Sequence, residues 1–401
     1  MKRAIAAFGL VVTAALVAAC DSAPAAAPTT SSTPPVTTSA PEPGPGKDFT
    51  VQVVASGLEH GWDVGFLPGG KLLVTERPGK LALVSPGGKV DEVKADFSDL
   101  LVAGEGGLLG LLVDPEFARN RQFVTCQDHQ EGGRAVDIRL VVWKLAADEK
   151  SATKVRDLLT GLPVNPSGRH SGCRPLLAKD GSLLVGTGDT AQAAIAQDKT
   201  QLGGKVLRLD LRTGGPVKDN PFVADPNPKT RLVYNYGHRN VQGIALRPGT
   251  DQVFTAEHGP DKNDEVNIVE AGKNYGWDPS RGGTMGGYDE NTPMTDLQRF
   301  PDAVPALWES GATTEAICGA AFLTGKQWGP MEGTLVITAL KGAKLLLLKL
   351  NDAGTKVESV TIPPQFQDKY GRLRAARTGP DGALYVTTSN GTDDKVLRIT
   401  P

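Results

Sequence analysis

The chain shows no excess of either charge. Its 401 residues hold 43 lysines and arginines against 45 aspartates and glutamates, which leaves no electrostatic footprint for nucleic acid. It also lacks a comfortable membrane span: the apolar stretch at residues 4–16 falls short of the roughly 20 apolar residues that a transmembrane helix needs. Helical periodicity is missing as well. No long stretch repeats its apolar residues every ~3.6 positions, because 48 glycines and 29 prolines interrupt. Cysteine is sparse, with four in the whole chain.

What is present begins with a targeting pattern. Lys2 and Arg3 precede the short apolar stretch, and Val17-Ala18-Ala19 leads into Cys20. Small residues directly before a cysteine look like a lipobox, so residues 1–19 are expected to be a lipoprotein signal peptide and Cys20 its lipidated residue. An ordinary secretory signal with an incidental cysteine is the alternative. The reading places the protein outside the cytoplasm, lipid-anchored on the extracytoplasmic face of a bacterial membrane. Residues 20–47 are almost entirely Ala, Pro, Ser, Thr and Gly. Such a composition buries too little apolar surface to offset the entropy lost on ordering, and it is expected to be a disordered tether. With Cys20 set aside, Cys126, Cys173 and Cys318 remain; an exported chain permits one disulfide among them, with Cys126–Cys173 the preferred pair and three buried thiols the alternative.

Residues 48–401 repeat a pattern: a turn rich in Gly, Pro, Asp or Asn, then a β-branched or Leu-rich run. It appears at Pro68-Gly69-Gly70 before 71–75, Arg119-Asn120 before 122–125, Lys179-Asp180-Gly181 before 182–186, Pro248-Gly249-Thr250 before 252–256, Glu332-Gly333 before 334–338 and Pro380-Asp381-Gly382 before 383–387. Six units of about 59 residues each have room for about four short strands, which favours a radial architecture over a sandwich. The expected fold is all-β: a six-bladed β-propeller of four-stranded antiparallel blades, with seven blades as the competing count. The last strand, near 395–400, is expected to pair with 49–54 and close the ring.

An ordered series of motifs then narrows the reading. Gly104-Glu105-Gly106-Gly107-Leu108 is followed by His170-Ser171-Gly172, Gly188-Asp189, Leu202-Gly203-Gly204-Lys205 and Gly237-His238-Arg239-Asn240-Val241-Gln242-Gly243. Glu257-His258-Gly259-Pro260, Asp264-Glu265-Val266-Asn267, Asn274-Tyr275-Gly276-Trp277, Lys341-Gly342 and Arg372-Leu373-Arg374 complete it. The series resembles the glucose, aldose sugar and sorbosone dehydrogenases that use the quinone PQQ.

The resemblance implies roles residue by residue. His170 becomes the general base that takes a sugar hydroxyl proton, since imidazole titrates near the working pH; Asp189 orients it. Arg239 lies against the quinone carbonyls, where positive charge stabilises oxygen that becomes negative, with Asn240 on the same edge. Lys341, Arg372 and Arg374 face the acidic edge of PQQ, arginine being suited to gripping carboxylates in pairs. Calcium is the implied metal, held by the carbonyls of Gly259 and Pro260 and bridging to PQQ; a second, structural calcium is expected at Glu265 and the Tyr275 carbonyl, with Asp289 or Glu290 as a further ligand.

Some positions depart from the pattern: Glu105 stands beside the cofactor where relatives carry Gln, Arg169 precedes His170 where an acidic or amide residue is common, and Trp308 alone remains of an aromatic patch expected over the cofactor. The expected activity is oxidation of an aldose at C1 to the lactone, with electrons passed to a membrane acceptor. A calcium-dependent lactonase and a non-catalytic carbohydrate-binding or scaffold propeller are the rival readings.

Overall fold

The computed structural model describes residues 41, 43–280 and 287–401. The signal peptide expected at 1–19 and Cys20, expected to be lipidated, lie outside the described residues. Six antiparallel sheets follow one another along the chain. Blade 1 consists of Gly61–Leu67, Lys71–Glu76, Lys80–Val84 and Val90–Val93. Blade 2 is Leu108–Val113, Gln122–Glu131, Arg134–Leu145 and Ala152–Leu162; blade 3 is Arg174–Leu177, Leu183–Gly186, Lys205–Leu209 and Val233–Tyr236. Blade 4 runs through Val241–Leu246, Val253–Glu257, Glu265–Ile268 and Trp308–Glu309, and blade 5 through Ile317–Phe322, Leu335–Ala339, Leu345–Leu350 and Val357–Ile362. Blade 6 takes Leu373–Thr378, Leu384–Thr388 and Asp394–Thr400 from the end of the chain and Thr50–Leu58 from its beginning. That last pairing, Thr50 opposite Thr400 through Leu58 opposite Asp394, closes the ring as expected.

The first strands of consecutive blades touch in a closed circle, from blade 1 round to blade 6 and back. The blade count is six. Each of the six turn–strand units read from the sequence supplies the second strand of one blade, so the repeat marks the inner hairpin of every sheet. Because a blade has neighbours on both faces, its middle strands are buried throughout rather than alternately; Leu335–Ala339 is buried at every residue.

Separate apolar clusters fill the interfaces between blades. Leu81 and Trp143 join blades 1 and 2; Leu140 and Leu207 join blades 2 and 3. Val206 and Ile244 link blades 3 and 4, Phe254 and Ile337 blades 4 and 5, Val336 and Val386 blades 5 and 6, and Val74 and Val396 blades 6 and 1. Stability is thereby distributed around the ring instead of residing in one core.

One boundary shifts. Gly44–Pro45, inside the segment expected to be tether, pairs in parallel with Val357–Ile362 as a fifth strand on the edge of blade 5. Backbone groups on an exposed sheet edge are free to accept such a strand whatever its composition.

Antiparallel geometry places the start of each first strand and the end of each second strand on one face of the ring. The six inner turns lie on the opposite face. This rule decides where the site residues meet. Cys126 on the second strand of blade 2 is joined to Cys173, just before the first strand of blade 3, across a Cα separation of 6.1 Å, and Cys318 is a buried free thiol.

Candidate active site

Every candidate from the inner loops comes from that one face. His170 precedes the first strand of blade 3 and Asp189 follows its second strand; Arg239 and Asn240 precede the first strand of blade 4, and His258, Gly259 and Pro260 follow its second. Glu105 precedes the first strand of blade 2, Arg77 and Lys341 follow the second strands of blades 1 and 5, and Arg372 and Arg374 begin blade 6.

His170 and Asp189 are brought together, with ring Nδ1 2.7 Å from Asp189 Oδ1. The approach depends on Gly188, where a Cβ would run into the His170 carbonyl. His170 itself has φ 52°, a left-handed conformation that turns its side chain out of the strand path. Burial alone would raise the Asp189 pKa, but the adjoining His170, the Arg239 charge and the Tyr288 hydroxyl outweigh it and hold the carboxyl below its ordinary value. An ionised Asp189 accepts the Nδ1 proton, so Nε2 is left with its lone pair, and it makes no hydrogen bond among the described residues.

Arg239 is almost wholly buried and is held by two contacts: Nη1 donates to the His258 carbonyl (2.7 Å) and Nη2 to Glu290 Oε1 (2.7 Å). Its Nε has no partner among the described residues. Arg169 donates to the same Glu290 oxygen at 3.0 Å. His258, between Arg239 and the Gly259 turn, is pushed well below the ordinary imidazole range by burial first, then by the charges of Arg239, His170, Arg374 and Arg372.

Arg374 donates to Gln242 Oε1 (2.8 Å), and its Nε is buried without a partner among the described residues. Arg77 donates to the Gly104 carbonyl. Desolvation and then the Arg374 charge lower the pKa values of both Arg77 and Arg372. Among the described residues no carboxylate forms an ion pair with Arg77, Arg372, Arg374 or Lys341, whose side chain is exposed. Positive charge therefore gathers on this face with no carboxylate in direct contact with these four cations, Glu105 acting on Arg77 only from a distance.

Glu105 is engaged from three sides: it accepts from the His170 backbone N–H (2.6 Å), Asn240 Nδ2 (3.1 Å) and Gln242 Nε2 (3.0 Å). Asn240 Oδ1 in turn accepts from the Gly172 N–H and Gln242. Glu105 thus serves as the tie between the His170 and Arg239 loops. Asp128 lies beneath, accepting from Ser171 Oγ at 2.9 Å. Burial first, and the Glu105 charge, push its pKa up to about 8, despite the Ser171 hydrogen bond.

Two expectations are corrected here. Trp308 is no part of the site. It sits on the outermost strand of blade 4, opposite Val266, buried in the apolar cluster between blades 4 and 5; a strand at the rim cannot reach the axis. Glu290 and Asp289 are not further ligands beside Glu265: Glu290 is paired with Arg239 and Arg169, and Asp289 Oδ1 caps Asn291. Glu265 is buried, accepts from Thr295 Oγ1 (2.9 Å) and Asn267 Nδ2 (3.2 Å), and is pushed well above the carboxylate range by burial and by the neighbouring Glu257. Tyr275 stacks on His238 with ring centroids 4.3 Å apart. The described residues contain no group of three or more His, Cys, Asp or Glu side chains spaced to hold a metal. The carbonyls of Gly259 and Pro260 are another matter: no described donor reaches either, in a turn fastened by the Gly259 N–H to Asp264 (2.8 Å).

Sequence reasoning missed Tyr288 and gave Trp277 no role. Both donate to Asp189 Oδ2 at 2.7 Å. Trp277 stood inside a quoted motif; Tyr288 follows a glycine-rich segment that carries no such signal.

The fold and site define a class: a six-bladed propeller whose axial face sets one oriented imidazole among cations. Residues 58–398 match the Glucose / Sorbosone dehydrogenase family, and the chain belongs to it. It is 30% identical over 358 residues to the aldose sugar dehydrogenase YliI of Escherichia coli, covering 88% of this chain and 92% of that one. Among solved structures, a putative oxidoreductase (glucose dehydrogenase) of Thermus thermophilus is 34% identical with a TM-score of 0.72, over 88% of this chain and all (100%) of that one. The PQQ-bound aldose sugar dehydrogenase of Streptomyces coelicolor is 28% identical with a TM-score of 0.70, over 89% of this chain and 100% of that one.

Proposed function

We propose that this protein is a PQQ-dependent sugar dehydrogenase that oxidises an aldose at C1 to the lactone. The observation that carries the reading is the set of arginines without carboxylate partners around one oriented imidazole. The residues fit the cofactor: PQQ bears three carboxylates, and Arg372, Arg374 and Lys341, with the missed Arg77, would hold them. The buried, unpartnered Nε atoms of Arg239 and Arg374 are donors left for a ligand. Calcium would take the open carbonyls of Gly259 and Pro260, hard oxygen donors of the kind it prefers. A second calcium at Glu265 and the Tyr275 carbonyl would relieve the buried Glu257–Glu265 repulsion.

When bound, PQQ supplies the two-electron acceptor for the hydride leaving C1. The chain's own part is proton handling and charge. His170 Nε2 takes the C1 hydroxyl proton, and Asp189 stabilises the imidazolium that forms. Arg239 provides fixed positive charge where oxygen gains electron density. Glu105 holds the two loops in register through the His170 N–H, Asn240 and Gln242.

Purified protein mixed with PQQ and calcium should change the quinone absorbance and reduce an artificial electron acceptor when aldoses are added. Failure of both signals would overturn the reading. We extend the same proposal to location: lipidation at Cys20 anchors the chain on the extracytoplasmic face, beside a membrane carrier that accepts the electrons. Cys20→Ser should move the protein from the membrane fraction to the soluble one; unchanged fractionation would reject the anchor.

A further inference from the structure

We propose that Tyr288 is a positioning residue: with Trp277 it fixes Asp189 so that His170 keeps Nδ1 toward the carboxylate and Nε2 toward the cleft. The inference rests on the proton-accepting role given to His170 above.

It comes from the hydrogen bonds that Asp189 makes among the described residues. Oδ1 receives the His170 Nδ1 proton (2.7 Å) and the Ala191 backbone N–H (2.8 Å). Oδ2 receives the Tyr288 hydroxyl and the Trp277 indole N–H, both at 2.7 Å. A carboxylate offers about four lone-pair sites, so four donors leave none open. The Tyr288 oxygen also lies 3.3 Å from His170 Nδ1, where it obstructs rotation of the ring. Tyr288 is itself held: it is buried with Trp277, Ala196 and Met294, and the next residue's N–H donates to the Pro279 carbonyl at 2.8 Å. Two positions beyond Tyr288, Glu290 grips Arg239. One short segment thus touches the partners of both chemical residues.

The charged and titratable groups that face His170 are Asp189 and Tyr288, Arg239 and His258 from the blade 4 loops, Arg169 and Glu290 beside it, and Glu105 at its backbone. Losing the hydroxyl leaves the Asp189 charge less shared. An imidazolium formed at His170 would then be better stabilised by that carboxylate.

Tyr288→Phe is the test, read first in the apoprotein labelled with ¹⁵N-histidine, with His170→Ala to assign the ring among five histidines. The His170 ring nitrogen resonances should shift from their wild-type positions, because the acceptor of the Nδ1 proton is no longer held in place. In protein loaded with PQQ, kcat should fall about tenfold with little change in KM. Trp277→Phe removes the other donor from the same oxygen and should act in the same direction, which keeps the test available if the first variant does not fold. Met294→Ala loosens the same apolar cluster without touching Asp189 and should leave the ring signals in place. Unchanged His170 resonances in both donor variants would overturn the proposal. A shifted ring in a protein whose wild type reduces no dye would reject the dehydrogenase reading and retain the positioning role.

Discussion

His170–Asp189 in blade 3 and His238–Glu257 in blade 4 are built alike. In each, ring Nδ1 stands 2.7 Å from a carboxylate oxygen 19 positions further along the chain. The likeness follows from the repeat: both histidines precede a first strand, and both carboxylates stand at or just beyond the end of a second strand. The pairs differ in what the far side of the ring meets. His238 Nε2 faces Asn235 Oδ1 at 3.0 Å, its ring is stacked on Tyr275, and no surface is exposed. Glu257 also accepts the Arg239 backbone N–H. His170 keeps Nε2 free of partners among the described residues. One blade uses the motif to lock a loop; its neighbour leaves the far ring nitrogen free, as the proposed base requires.

The largest expected effect separates these roles. His170→Ala should lower turnover by about 10²–10⁴-fold with PQQ binding nearly intact and a smaller stability loss than at His238, because Asp189 keeps three other donors, the Ala191 N–H, Tyr288 and Trp277. His238→Ala should cost about 2–4 kcal/mol of stability, because it strands the buried Glu257 carboxylate. Denaturant unfolding beside steady-state kinetics checks both. Equal losses of stability in the two variants would erase the distinction.

Asp189→Asn sharpens it next. An amide can present its N–H to Nδ1 and so force the proton onto Nε2, the wrong tautomer for a base; turnover should drop by about 10²-fold or more with the fold retained. The pH dependence follows from the depressed Asp189 pKa. A carboxyl lowered in the folded state adds stability that is full above its unfolded value, about 3.9, and is lost as pH falls through the lower folded value. The wild type should therefore lose stability below about pH 4 in a component that Asp189→Asn lacks, measurable by thermal melts from pH 5 downward.

The frame of this comparison was legible in the sequence to the extent that local chemistry marks it. Gly, Pro and Asp turns force a reversal wherever they occur, so all six inner hairpins could be placed, and the ring closure with them. The motif residues that precede first strands or follow second strands also fell on one face, because antiparallel pairing puts them there. Trp308 misled because it was placed by the resemblance alone, and nothing in its neighbouring residues marks the two-residue rim strand on which it lies. Tyr288 was invisible for a different reason: it is joined to Asp189 across 99 positions, and nothing local to a glycine-rich segment announces a long-range hydrogen bond. Glu290 read as an acidic loop residue, and only the approach of Arg169 and Arg239 gives it a function.

The last test contrasts two buried carboxyls of the same site. Asp189 receives four hydrogen bonds, whereas the described partner of Asp128 is the Ser171 hydroxyl, with Oδ1 unpaired and Glu105 nearby. Charge is therefore favoured on the first and disfavoured on the second, whose pKa rises to about 8. Between its unfolded value, about 3.9, and that pH the folded state holds a proton that the unfolded chain has released. Stability from this group is full at low pH and declines as pH rises, by at most ~1.4 kcal/mol per pH unit. Asp128→Asn cannot ionise, and its amide keeps an acceptor for Ser171, so its stability should be flatter from pH 5 to 8 and exceed the wild type's at pH 9. Urea unfolding at unit pH steps measures the difference. Parallel profiles would mean that Asp128 is ionised beneath the site after all, and that hydrogen bonds alone do not decide which of the two carboxyls carries the charge His170 needs.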